Sequence, residues 1–294
     1  MTHVLVTGAA GHIGRVVVDD LLRHGYRVTA TDRERLDDPR LERGLTGDLR
    51  DRELVREALR GVEALRGVEA LVHLAAIPQP DPEDPAGQFT ANCHTAYLAP
   101  DEAGRAGVRR AVAASSIGAL GLAWSAHPRS PRYVPVDESH ATLAEDPYGL
   151  SKLVLEQVAE GTHRRWGTDT VCLRFPFTGT DPRLTRQLAA VHTDPGPHAS
   201  DLWGWLDTRD AAAAVRAALA AGTHGSHVLY VAAPDTSSDI PTAELLTRYH
   251  PTAEVTAPLS RFAGLYDTSR CARLLGFSPA HRRRTADAGT EDTR

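Results

Sequence analysis

His3-Val4-Leu5-Val6-Thr7-Gly8-Ala9-Ala10-Gly11-His12-Ile13-Gly14 decides how the rest of the chain is read. A short apolar run that ends at a glycine is a buried strand. From Ile13 to His24 the pattern is helical. Strand, glycine-rich turn and helix start make a phosphate cradle: Gly8 permits the tight turn, Gly11 lets a pyrophosphate approach the backbone, and Gly14 lets helix pack on strand. The helix N-terminus then faces the anion. Small residues also fill ordinary turns, so the cradle gains its weight from residues further along the chain.

Residues 27–31 read as the second strand, closed by Asp32, 18 positions after Gly14. A carboxylate there suits the adenosine ribose hydroxyls and repels a 2′-phosphate, which favours NAD. Arg33 and Arg35 follow at once and suit that phosphate, so NADP is the alternative. Residues 45–49 read as a short strand with Asp48 at its end, and Asp51 caps the next helix. Gly61-Val62-Glu63-Ala64-Leu65-Arg66 is then repeated as Gly67-Val68-Glu69-Ala70-Leu71, a small tandem duplication expected to add a turn or lengthen a helix. Residues 70–74 are the next strand, with His73 in its apolar run as a core histidine. Ala75 and Ala76 are small enough for a cofactor to pass the strand end. A Pro/Asp loop at 78–85 lies where such sheets bind ligands. Residues 89–105 are helical in pattern and carry Asn92, and the strand at 109–114 ends at Ser115-Ser116.

Residues 124–145 form a long irregular segment of the kind that makes lids and walls. Tyr148-Gly149-Leu150-Ser151-Lys152 comes next and opens an amphipathic helix to Trp166. Residues four apart share a helix face, so the Tyr148 hydroxyl and the Lys152 ammonium point into one pocket. An adjacent ammonium lowers a tyrosine pKa, and a tyrosine so tuned serves as a general base. Lys152 is the only lysine among 33 basic residues. Where arginine serves everywhere else, a single lysine marks a place that needs a compact point charge.

Beyond 170–174, the next strand, the pattern changes. Residues 175–179 read as a loop, 183–191 as a helix, and 202–206 as a short aromatic strand in which Trp203 and Trp205 alternate. Asp207 or Thr208 caps an alanine-rich helix, 226–231 is a last strand, and 241–249 and 269–275 are short helices. Arg282-Arg283-Arg284 sits in a polar tail and reads as solvated. The net charge of −5 argues against nucleic acid. No apolar run approaches the roughly 20 residues of a membrane helix. Three scattered cysteines, no metal motif and a chain that goes straight into a strand point to a cytoplasmic protein with reduced thiols and no metal.

Thr7-Gly8-x-x-Gly11-x-x-Gly14, the Ser115-Ser116 strand end and Tyr148-x-x-x-Lys152, in this order and spacing, resemble the extended short-chain dehydrogenase/reductase family, the group of NAD-dependent sugar epimerases and dehydratases. The resemblance spans residues 1 to about 278. Asp207-x-x-Asp210 and Arg273-Leu274-Leu275-Gly276-Phe277 look like that family's C-terminal half. It implies Ser116, Tyr148 and Lys152 as the catalytic set. It implies an NAD site of Gly8, Gly11, His12, Ile13, Gly14, Asp32, Arg33, Asp48, Leu49, Leu74, Ala75, Ala76 and Asn92, with Tyr148 and Lys152. Ile117-Gly118 replace the Asp-Glu of the sugar dehydratases, and Phe177 stands where nucleotide-sugar epimerases carry an asparagine. Tyr148-Gly149-Leu150-Ser151-Lys152 and Cys172-Leu173-Arg174 are similar to the uronate dehydrogenase branch. That branch places a carboxylate-binding arginine near Arg186, with Arg183 close by. Gln79, Ser116, Ile117, Phe177, Thr178, Arg183 and Arg186 are thus the expected substrate wall.

The expectation is an α/β doubly wound parallel sheet of about seven strands. Residues 1–176 would be the Rossmann domain and 177–278 a small substrate lobe, with 203–231 returning to the core and 279–294 a tail. The expected activity is NAD-dependent hydride transfer on a small polyhydroxylated or carboxylated alcohol or ketone. A nucleotide-sugar 4-epimerase with tightly held NAD, or a dinucleotide-binding sensor, are the alternatives. The resemblance implies a homodimer.

Overall fold

All five residues of β1 (His3–Thr7) are buried, as a strand flanked by parallel neighbours and covered on both faces must be. The computed structural model describes residues 1–60 and 67–284. From β1 the chain turns into α1 (His12–Arg23), β2 (Arg27–Asp32), β3 (Arg43–Thr46), α2 (Arg52–Leu59) and β4 (Ala70–His73). α3 (Pro85–Arg105), β5 (Arg110–Ser116), β6 (Tyr133–Val134), α4 (Pro147–Trp166) and β7 (Asp169–Phe175) follow. Then come β8 (Phe177–Gly179), α5 (Arg183–Thr193), β9 (Trp205–Asp207), α6 (Thr208–Ala220), β10 (Ser226–Tyr230), α7 (Thr242–Tyr249), β11 (Glu254–Val255) and α8 (Ser269–Leu275).

Among the described residues the central sheet has seven strands in the order β3-β2-β1-β4-β5-β7-β10, every pair parallel. This is the doubly wound α/β sheet that the glycine turn predicts. Strand order reverses between β1 and β4, and ligands bind in the crevice at such a switch point. α1 and α6 pack together, as do α3 and α4. Val17, Val18 and Leu21 of α1 join Ala211, Ala214 and Val215 of α6 in one apolar core; Val55, Leu98 and Ala103 anchor a second with Leu5 and Leu71. A third core joins Leu120, Leu122 and Val134 to Leu202, Trp203, Leu245 and Leu265. It lies at the end of the sheet that carries Ser116, because the Ile117–Leu120 turn belongs to it.

Several sequence expectations shift. The strand placed at 45–49 is β3, which ends at Thr46, so Asp48 lies in the following turn. The aromatic strand placed at 202–206 is β9, from Trp205. Leu202 and Trp203 have positive φ, 53° and 51°, and lie in the turn before β9; both indoles are buried. The basic triplet is not solvated as a unit. Arg283 bonds the Ser237 carbonyl and Asp239, and Arg284 bonds Ser238 and Asp239 and lies 3.7 Å over the Phe262 ring. The first copy of the duplication, 61–66, lies outside the described residues. No helix among the described residues is long and apolar enough to cross a membrane.

Candidate active site

The cradle is built by close approach. A Cβ on Gly14 would sit 2.1 Å from the Gly8 carbonyl oxygen, and one on Gly8 2.6 Å from the Ala75 nitrogen. Gly8 also has φ +71°, a left-handed value open to glycine. The turn thus folds back on itself and brings the ends of β1 and β4 together. Gly8, Gly11, Asp32, Arg33, Asp48, Leu49, Leu74, Ala75, Ala76 and Asn92 line one cavity of about 430 Å³. His12, Ile13 and Gly14 open α1 just after Gly11, His12 bonding Thr208 at 3.2 Å. Asp32 Oδ2 accepts from the Ala10 N–H at 2.9 Å, so the ribose-type carboxylate is tied to the glycine turn. Arg33 is on the cavity wall, whereas Arg35 pairs with Asp37 at 2.6 Å. Bonds from the Arg50 guanidinium hold Asp48 down to about 2. A strand-end carboxylate, a row of small residues and a turn that admits no side chain suit a dinucleotide.

The second half of the site begins with a cap. Asp146 accepts from the Gly149 N–H at 2.8 Å and Pro147 occupies the first turn, which starts α4 just before Tyr148. A Cβ on Gly149 would meet the Gly118 carbonyl oxygen at 2.6 Å. α4 therefore lies hard against the turn after β5, and Ser116 and Tyr148 flank Gly118: a Cβ there would lie 3.4 Å from Ser116 Oγ and 3.5 Å from Tyr148 Cδ1. The Ser116 Oγ accepts from the Gly118 N–H at 3.0 Å, leaving its own hydrogen to donate. Lys152, 5% exposed, stands 5.3 Å from the Tyr148 ring centroid and donates from Nζ to the Ala114 carbonyl at 2.8 Å.

The electrostatics correct one expectation. Tyr148 is pushed up to about 12, by burial first, with the neighbouring Ser116 hydroxyl lowering and Asp146 raising it. Lys152 does not pull it down, because the ammonium is drawn to Ala114 and desolvation of the phenol dominates. Burial brings Lys152 itself down to about 8. His73, as expected, is a core histidine: its Nδ1 bonds the Thr7 hydroxyl at 2.9 Å and burial drives it to about 3.

Asn92 bridges the loop and the helix. Its Oδ1 accepts from Ile77 N–H at 2.8 Å, and its Nδ2 donates to the Ile77 carbonyl and to Ser151 Oγ. The expected substrate residues divide. Ile117 is buried in the third core. Phe177 and Thr178 lie on β8, where Arg183 caps them with its guanidinium 4.9 Å over the Phe177 ring and Nε on the Thr178 carbonyl. Arg186 is exposed on α5, and its side chain has no partner among the described residues. Gln79 is exposed with φ 68°. Sequence reasoning missed Trp124, 46% exposed, whose indole meets Tyr148 edge-on at 5.6 Å. It also missed Glu156, four residues after Lys152, a spacing that was there to be read.

A family model for the NAD dependent epimerase/dehydratase family matches residues 4–232. The chain belongs to this family. The family is described as NAD dependent, and its model spans most of the chain. It is 42% identical over 123 residues to sterol demethylase protein B of Methylococcus capsulatus, covering 40% of this chain and 35% of that protein. It is 29% identical to a UDP-glucose 4-epimerase of Streptomyces lividans, covering 66% and 56%. The chain spans about half the length or less of these curated relatives. A short-chain dehydrogenase/reductase superfamily protein from Agrobacterium tumefaciens, solved with bound NAD, superposes with a TM-score of 0.70 at 25% identity, covering 95% and 93%.

Proposed function

We propose that this epimerase/dehydratase-family chain is an NAD-dependent oxidoreductase acting on a small polyhydroxylated or carboxylated alcohol or ketone. The observation that carries the reading is the convergence of Ser116, Tyr148 and Lys152 where β5 ends and α4 begins. NAD, when bound, supplies the hydride acceptor or donor. Gly8, Gly11, Asp32 and Asp48 would hold it, with Lys152 on its ribose. Ser116 donates its free hydrogen to the substrate oxygen and steadies charge there. Tyr148, protonated through the neutral range, delivers a proton to a carbonyl oxygen. In the other direction it takes the alcohol proton as alkali ionises it. Residues 177–278 would form the substrate lobe, with Arg183 as the arginine that meets a substrate carboxylate. The test is to purify the protein, identify any retained nucleotide, and screen sugars and hydroxy acids for NADH formation. A panel without turnover, read with NAD bound, would count against the oxidoreductase.

The likeness to UDP-glucose 4-epimerases favours a second reading, epimerisation with retained NAD and no net NADH. Interconversion of UDP-hexoses is its test. We also infer a homodimer through α3 and α4, whose exposed Tyr97 and Leu150 are large apolar residues on these two helices. A monomer mass by scattering at micromolar protein would overturn that.

A further inference from the structure

Beneath Lys152 lies a polar cluster that hydride transfer does not require. Glu156 sits one turn after Lys152 on α4, on the same face. Its Oε1 accepts from Ser115 Oγ at 2.6 Å and from Arg174 Nε at 2.8 Å, and its Oε2 accepts from Arg174 Nη2 at 2.7 Å. Arg174 completes its fork with Nη1 on the Tyr230 hydroxyl at 3.1 Å. Glu156, Arg174, Ser115 and Tyr230 are all buried. A buried ion pair is poor evidence for stability, since its desolvation offsets its attraction and apolar residues of like size often serve as well. Its placement is the informative part: it joins the residue before Ser116 to the helix that carries Tyr148 and Lys152.

We propose that Glu156 is a positioning residue: its carboxylate ties down the strand end that carries Ser116 and is the counter-charge of the Lys152 ammonium, with Arg174 holding that carboxylate in place. The groups around Lys152 leave Glu156 this part. Those shown to face Lys152 are Tyr148 and Glu156 from α4, His73 from β4 and Cys172 from β7. Tyr148 and Tyr230 are raised by burial and neutral, and so is the Cys172 thiol. His73 is neutral because burial lowers it. Asp146 is spent on the helix N-terminus. Glu156, gripped by the Arg174 fork and one helical turn from Lys152, acts with the buried Cys172 to favour the ammonium.

The inference rests on Lys152 belonging to the active site, but its test needs no substrate, so it can fail independently of the proposed activity. Lys152 is the only lysine, so full-length protein grown with lysine labelled at 13Cε and 15Nζ has one lysine side-chain NMR signal, whose pH titration reports that ammonium alone. Glu156→Gln is expected to lower its midpoint by about one pH unit or more. Because breaking a buried pair can cost about 3–5 kcal/mol and unfold the protein, Glu156→Gln/Arg174→Met, which removes both charges, is measured beside it and is expected to titrate below wild type as well. A purely structural pair would leave the midpoint in place once the fold is kept, and an unchanged midpoint in a folded variant overturns the counter-charge. Ser115→Ala keeps both charges. It should leave the midpoint alone and shift the Ser116 and Gly118 amide signals; if those signals stay put, the strand-end tie is overturned.

Discussion

Lys152 and Tyr148 illustrate how two side chains on one helical turn acquire different burdens. Both are pressed toward their neutral forms by burial, the ammonium to about 8 and the phenol to about 12. If Lys152 were a generic positive charge, Lys152→Arg would keep most activity, given how freely this chain uses arginine. The buried ammonium is compact and bonded to Ala114, and a forked guanidinium does not fit that contact. Lys152→Arg is therefore expected to lower kcat/KM at least about a hundredfold, about 2.7 kcal/mol, with the fold intact. Tyr148→Phe should be as severe, and the double variant no worse, since both serve one proton transfer. Steady-state kinetics check this, and a Lys152→Arg enzyme within about threefold of wild type removes the case for a dedicated lysine. The same residues set the pH response. A phenol raised above its ordinary value makes alcohol oxidation climb into alkali while carbonyl reduction persists near neutrality. Asp32 is expected to set the cofactor preference. Its carboxylate, tied to the Ala10 N–H, should make NAD bind at least about tenfold more tightly than NADP. Asp32→Ala should erase most of that margin in a titration, because Arg33 then lines the same wall unopposed.

Among the elements, the contact between α4 and the turn after β5 governs the site. Gly149→Ala would drive a methyl into the Gly118 carbonyl oxygen. It is expected to destabilise the protein by about 1–3 kcal/mol. Because it parts Tyr148 from Ser116, kcat should also fall more than KM rises. A thermal melt with kinetics checks both, and an unchanged kcat would show that the approach is not needed. The elements themselves were legible where burial writes a simple pattern. β1, β4, β5 and β7 are apolar runs because parallel strands are covered on both faces, and the glycine turn is visible because nothing larger fits. What stayed hidden depends on partners far along the chain. Trp203 takes a positive φ inside the third core. Glu156 shares a helix face with Lys152 by spacing, but its partner Arg174, on a strand 18 residues on, appears once α4 packs on β7. Arg284 reads as tail until Phe262 and Asp239 are placed opposite. Among the expected substrate residues, the spacing that named both Arg183 and Arg186 could not say which one α5 would turn toward β8.

For the whole molecule, histidines held neutral make folding sensitive to acid. His73, at about 3, and His3, His12 and His250, all lowered chiefly by burial, titrate in the folded chain below their ordinary value of 6.5. The unfolded chain takes up those protons first. Stability is therefore fully present above about 6.5 and is lost as pH falls toward the folded values. Urea unfolding at descending pH should show this loss, and His73→Asn should flatten it most between about 6.5 and about 3; an unaltered slope would remove His73 from the account. The four tryptophans are spread unevenly through the same molecule. Trp203 and Trp205 are buried and Trp166 half-buried, while Trp124 leaves 46% of its surface to water against the Tyr148 ring. The consequence is optical. A water-exposed indole emits at longer wavelength than a buried one, so the red edge of the emission belongs to Trp124. Any molecule that settles on Tyr148 should shift that edge to the blue or quench it, and Trp124→Phe should abolish the response, giving the protein a built-in fluorescent gauge of substrate occupancy that needs no turnover to be read.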